Sequence, residues 1–245
     1  MCVRLLGQNF YILQGTKNII ALFRQRSLSP FVMHGPLLRY VFRLPKVALS
    51  VYHNDDSGEY PTPNPDSNVE ARNRVNFLTR SSLQHFLTGP GFAPLCKRFQ
   101  PNITKRLQSL SVGNDWVRWD DFMELFYNEV TSAVLDSLCG TFLIENNPNF
   151  NKNLWTLDHN IITFFTRVPR ILAPGAYASR DSALAAIKNW HTWARENFDP
   201  ASIGLDGDDP YWGTKFFRER QGMFYKMEGF DADAIASEEL AFIWG

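Results

Sequence analysis

Charge of one sign is what this chain lacks most plainly: Lys plus Arg is 25 and Asp plus Glu is 25, a net charge of zero. A neutral chain offers no field to a phosphate backbone or an anionic lipid surface, which excludes nucleic acid as a partner class. Cysteine is scarce. Cys2, Cys96 and Cys139 are odd in number and have no C-x-x-C spacing, so neither a disulfide framework nor a thiolate zinc site is expected, and a reducing compartment is. No run approaches the ~18 apolar residues of a membrane span, and the first six residues are too short for a signal peptide. H-E-x-x-H, a Gly-rich phosphate loop and G-x-S-x-G are missing. Repeats at solenoid periods and sustained heptads are missing too.

What is present is apolar and aromatic: 44% hydrophobic residues, with 20 Phe and 7 Trp in 245, which suits a large apolar interior or pocket. Periodicity predicts a mainly helical chain with one short strand near its start, over residues 9–14. Gly15 ends that strand and Thr16 caps a helix over 17–25, with Ile19, Ile20, Leu22 and Phe23 on one side and Ser29-Pro30 as its stop. Gly35-Pro36 opens a short helix over 37–42. Residues 53–68, polar and carrying Pro61, Pro63 and Pro65, read as an exposed loop. Helices follow over 69–86 and 94–110, the second with an expected kink at Pro101. The clearest helix covers 120–139, where Trp119, Phe122, Met123, Phe126, Val130, Ala133, Val134 and Leu138 form a stripe expected to pack into a core. Leu154, Leu157, Ile161, Phe164, Phe165 and Val168 form another. Pro174-Gly175 reads as a turn and Asp181 as the cap of the next helix, and one more is expected over 212–226.

The last stretch, residues 229–245, begins with Asp231 and Asp233 placed to cap a helix. It ends in Leu240, Ala241, Phe242, Ile243 and Trp244, apolar all round, as in the middle of a large core. Either Gly245 closes that helix in a left-handed turn, or the sequence is cut inside its central helix; the second is the working expectation. Among groups that could carry chemistry, His34, His53, His85, His159 and His191 lack ligand spacing, and His191 shares a polar face with Lys188 and Arg195, so it is expected at the surface. Asp206, Asp208 and Asp209 read as a solvated turn, since the closing Glu of a calcium loop is missing. Asn102-Ile103-Thr104 is a glycosylation sequon with nothing to deliver it to a lumen. Cys139 sits on the inward side of an apolar helix, as an inert thiol does.

Four stretches together resemble the amino-terminal half of a cytochrome P-450. They are F-Y-I-L-Q-G-T-K-N-I-I-A-L-F-R-Q (10–25), G-P-G-F-A-P-L-C-K-R-F (89–99), the segment 155–199 containing P-R-I-L-A-P-G-A-Y, and S-E-E-L-A-F-I-W-G (237–245). The resemblance implies a partial cytochrome P-450 fold: residues 1–245 as an incomplete single domain, mainly α, truncated inside the central long helix. It implies haem as cofactor, and an electron-donating reductase and a lipophilic, sterol-like small molecule as partners. It also implies an endoplasmic reticulum location, at the cytosolic face of the membrane, for the complete member, with this anchorless chain expected in the cytoplasm. Trp244 and Gly245 match the approach of the central helix to substrate, and Phe164, Phe165, Ile171 and Leu172 match the roof of the pocket. Arg74, Arg80 and His85 are candidates for the haem propionates. The family's cysteine loop, F-x-x-G-x-R-x-C-x-G, matches none of the three cysteines, so this chain alone is expected to be inactive. The alternative is a non-catalytic helical protein that binds a partner or an apolar ligand.

Overall fold

In the computed structural model the described residues are 1–5, 8–25, 31–110, 113 and 116–245. The expected stop at Ser29-Pro30 lies outside them. The chain divides into two compact units, Met1–Gly35 and Pro36–Gly245. In the first, β1 (Cys2–Leu5) and β2 (Gln8–Tyr11) form an antiparallel ribbon in the register Cys2↔Tyr11 to Leu5↔Gln8. Ile12 and Met1 extend it by exchanging two hydrogen bonds. One strand was expected; a strand whose N–H and C=O groups go unpaired is costly, and the Cys-Val-Arg-Leu segment supplies its partner. Gly15, at φ 87°, precedes α1 (Thr16–Arg24). Thr16 makes no side-chain cap, and no residue of α1 is buried. α2 (Phe31–Pro36) contains Pro36, which had been expected to open a helix.

Among the described residues, the named elements of the second unit are all helical. A π-helical turn (Leu37–Val41) buries Leu38 and Val41, and α3 (Lys46–Asn54) follows. Then come α4 (Val75–Thr88) and α5 (Phe92–Ser109), which runs on past Pro101. α6 (Met123–Leu125), a π-helical turn (Phe126–Val130) and α7 (Thr131–Cys139) make up the helix expected over 120–139. α8 (Phe142–Glu145), α9 (Phe150–His159) and α10 (Ile161–Phe165) lead to the long α11 (Pro174–Asn197). The chain is completed by α12 (Lys215–Phe224) and α13 (Ala232–Trp244).

Three local readings are corrected. Pro174, whose ring presets a helical φ, starts α11 seven residues before the expected cap, and Asp181 instead pairs from within the helix with Arg43 and Arg170. His191 is buried on α11, its ring centroid 4.8 Å from that of Trp190 and 5.9 Å from that of Trp212. The loop before α12 covers that side of α11, and burial beside Arg195 lowers the imidazole to about 3, so it stays neutral. The acidic turn is not merely solvated. Asp208 pairs with Arg98 and Asp209 with Arg218, and Asp209 also accepts from the backbone N–H of Tyr211 and Trp212. That loop then presses Gly213 onto the end of α7. A Cβ there would lie 2.4 Å from Gly140 N, and φ is 70°.

The core centres on α13, whose residues from Ala234 to Leu240 are all buried, two carboxylates included. Asp231 caps the helix, accepting from Ala234 N at 2.9 Å. Arg220 of α12 lies between the two acids, with Nε 3.2 Å from Glu239 Oε1 and Nη2 3.4 Å from Glu238 Oε2. Tyr52 of α3 donates to Glu238 at 2.7 Å, and the guanidinium lies over the rings of Phe216, Phe224 and Phe242. Neither oxygen of Glu239 accepts a hydrogen bond. Burial therefore outweighs Arg220 and raises its carboxyl from 4.5 to about 7.

This sets the sign of a pH dependence. Between about 4.5 and 7 the folded state holds a proton on Glu239 that the unfolded chain has released. Stability therefore falls as pH rises through that window, by up to about 3 kcal/mol. Urea unfolding should show wild type losing more stability between pH 5 and pH 8 than Glu239→Gln loses; parallel pH profiles would contradict the assignment.

Candidate apolar ligand site

The stripe Met123, Phe126, Val130 and Val134 was expected to enter the core, and the structure leaves much of it open. Met123 is 46%, Phe126 41% and Val134 40% exposed, while full burial begins only at Ser132 and Ala133. The π-helical turn inserts a wider turn in mid-stripe, with Thr131 Oγ1 donating to Phe126 O at 2.9 Å. The stripe then forms one wall of a cavity of about 440 Å³. Leu154, Trp155 and Asp158 of α9 make the second wall, and Ile243 and Trp244 of α13 the third.

Polar side chains in the cavity are few and mostly engaged. Trp155 Nε1 donates to Thr131 Oγ1 at 3.1 Å, and Trp244 Nε1 donates to Asp158 Oδ1 at 2.9 Å. The Trp244 ring also packs on Phe42, centroids 5.6 Å apart. The site is thus an apolar cleft with one carboxylate, suited to a lipophilic surface and not to proton or metal chemistry. Among the described residues no group of three or more His, Cys, Asp or Glu could hold a metal ion. None of the helices formed by those residues is long and apolar enough to cross a membrane.

Of the six residues expected to face a substrate, Trp244 lines this cavity. Gly245 is exposed beyond it. Phe164 is buried in the core, edge-on to Tyr177 and beneath Arg180, and Phe165 packs against the same core. Ile171 and Leu172 stand in solvent at 85% and 73% exposure. The six are not brought together. Asp158, Trp155 and Thr131 escaped sequence reading because their partners come from other helices. Of the basic candidates, Arg74 is buried, donating to Ser57 Oγ and to the carbonyls of Tyr60 and Pro61. Arg80 pairs with Glu59, and His85 is exposed.

The fold and site define a helical domain organised around apolar clefts, and comparison with known proteins gives the class a name. Over 174 residues (69% of the chain) it is 29% identical to cytochrome P450 monooxygenase fsoE of Humicola fuscoatra, covering 30% of that protein. Over 239 residues (96% of the chain) it is 24% identical to cytochrome P450 monooxygenase efuG of Hormonema carpetanum, covering 40% of that protein. Over 230 residues (88% of the chain) it is 26% identical to cytochrome P450 monooxygenase calL of Penicillium decumbens, covering 41%. The chain is thus similar to cytochrome P450 monooxygenases over most of its own length, and it spans well under half the length of these curated relatives. No family profile and no solved structure matches it.

The family implies haem, and the residues of this chain do not fit it. Cys2 and Cys96 are exposed. Cys139 is fully buried, and its thiol is pushed well up by burial and by the charges of Glu239 and Asp136, the reverse of what a thiolate ligand needs. The Arg74 guanidinium is committed to the loop after α3. Arg74→Met should therefore cost about 2–3 kcal/mol by leaving carbonyls unpaired and open residues 58–66 to protease, whereas Arg80→Ala, losing an exposed pair, should cost below about 1 kcal/mol. Equal costs in urea unfolding would contradict this division.

Proposed function

We propose that this chain forms part of a haem-thiolate monooxygenase that uses O2, and electrons from a reductase, to hydroxylate a lipophilic, sterol-like substrate. The observation that carries the reading is the similarity to a P450 monooxygenase across 96% of the chain. The mainly helical fold and the aromatic, apolar-walled cavity support it. In this reading Trp244 and Gly245 mark where α13 approaches the substrate, while Phe164 and Phe165 stiffen the layer above it. The exposed pair Ile171 and Leu172 offers an apolar contact at the entrance. The active protein works at the cytosolic face of the endoplasmic reticulum membrane. The thiolate does not come from Cys2, Cys96 or Cys139, so the 245 residues by themselves bind no haem through sulfur and hydroxylate nothing.

The test is the absorption spectrum of the reduced, carbon monoxide-treated protein, in two forms. The chain reconstituted with haem should lack the long-wavelength Soret band of a thiolate–CO complex. The Hormonema carpetanum protein with its matched segment replaced by this chain should show that band. A band from the chain alone would contradict the claim about its cysteines. A folded chimera without the band, beside a wild-type relative that has it, would contradict the family role of the segment.

A further inference from the structure

We infer that the arginines gathered at Asp181 form a binding site for a compact dianion, a phosphate or sulfate group that is free or carried on a small molecule, seated on Arg43 and Arg170.

Charge balance is the first observation. Asp181 of α11 takes Arg43 Nη1 at 3.0 Å, from the loop before α3, and Arg170 Nη1 at 2.9 Å, from the segment between α10 and α11. Arg180 Nε lies 3.6 Å from the same carboxylate. Three guanidinium groups thus share one acid, and among the described residues no other acid pairs with them. Arg167 joins the cluster through Tyr40: its guanidinium lies 4.7 Å over the Tyr40 ring, and the Tyr40 carbonyl accepts from Arg180 Nη1 at 3.0 Å. Among the described residues Arg167 has no acidic partner. Such an excess of one sign stands out in a chain whose net charge is zero.

The cluster is also held in place. Arg180 is 7% exposed, its guanidinium lies over the rings of Phe164 and Tyr177, and its Nε has no hydrogen-bond partner. Tyr177 Oη donates to Val168 O at 2.6 Å, which ties the segment carrying Arg167 and Arg170 to α11. Among the described residues Arg43 and Arg167 are the non-glycine positions with positive φ, at 65° and 58°. Left-handed backbone persists where its surroundings enforce it, and here both cases present an arginine to one place.

The type of ligand follows from the donors left over. Arg43 and Arg170 are 61% and 62% exposed and each gives a single hydrogen bond to Asp181. A guanidinium has more N–H donors than that, set in a planar fork that matches a phosphate or sulfate edge. Because the field is confined to one point of a neutral chain, it suits a compact dianion and not an extended anionic surface. The anion bridges the loop before α3 and the segment before α11, beside the carboxylate that already joins them.

Calorimetric titration of the chain with inorganic phosphate at fixed ionic strength tests the inference, alongside urea unfolding in phosphate and in chloride. Wild type should bind phosphate at a single site, and Arg43→Ala with Arg170→Ala should lose at least about tenfold in affinity while unfolding in chloride much as wild type does, since exposed pairs contribute little. Asp181→Asn separates a binding site from a structural clamp. Removing the resident carboxylate should tighten phosphate binding by about tenfold, and phosphate should restore the stability that this variant loses in chloride. Absence of phosphate binding in both wild type and Asp181→Asn would overturn the proposal. So would equal affinity in the double variant, which places the anion elsewhere, or destabilised Asp181→Asn that phosphate does not rescue, which leaves the cluster a clamp. Binding to vesicles containing phosphatidic acid with no response to inorganic phosphate would assign the arginines to a lipid surface and overturn it as well.

Discussion

The contact on which the second unit depends is Arg220 held between Glu238 and Glu239. Two buried carboxylates on one helix are expensive, and a buried ion pair with a compensating charge seldom adds net stability over an apolar equivalent. What it fixes is register. Arg220 comes from α12, the acids from α13 and Tyr52 from α3, so sliding α13 by one residue would strand a charge among the rings of Phe216, Phe224 and Phe242. With that register set, Ala234 to Leu240 occupy the middle of the core and Ile243 and Trp244 are carried out to the rim of the cleft.

The position of that cleft follows from the same constraint. Trp244 reaches Asp158 on α9 and Phe42 after the first π-helical turn only because the acidic half of α13 is pinned upstream. The second π-helical turn, Phe126–Val130, rotates the apolar stripe of α6–α7 partly out of the core. The chain can thus be well packed around α13 and still present a large apolar wall. The cysteine it buries at the end of α7 packs as a small apolar side chain, its thiol held protonated by burial first and by the neighbouring acids second.

Much of the helical order could be read from residues. Asp231 caps α13 as its position suggested, Gly140 ends α7 at φ 78°, and Val75 to Phe86 lie on a helix. The failures share a cause. The run from Leu240 to Trp244 looked more deeply buried than the S-E-E segment before it, yet only Leu240 of that run is fully buried while Ser237, Glu238 and Glu239 all are, because hydrophobicity along one helix cannot reveal that Arg220 waits on another. His191 was placed on a polar face by its neighbours Lys188 and Arg195, yet the indole of Trp212 arrives from a distant loop to cover it. Asp209 is buried for the same reason, with Arg218 nine residues away as its counter-charge. The cleft was illegible because its walls come from three separated helices, although each wall was individually visible as an apolar stripe.

Amide hydrogen exchange on the isolated chain tests the central claim most directly, that the acidic half of α13 and not its apolar end is the fixed point of the structure. The account predicts the slowest exchange at Ala234 to Leu240, with faster exchange at Ile243, Trp244 and the stretch from Met123 to Val130. Slowest exchange at Phe242 to Trp244, with Ser237 to Glu239 opening first, would contradict it.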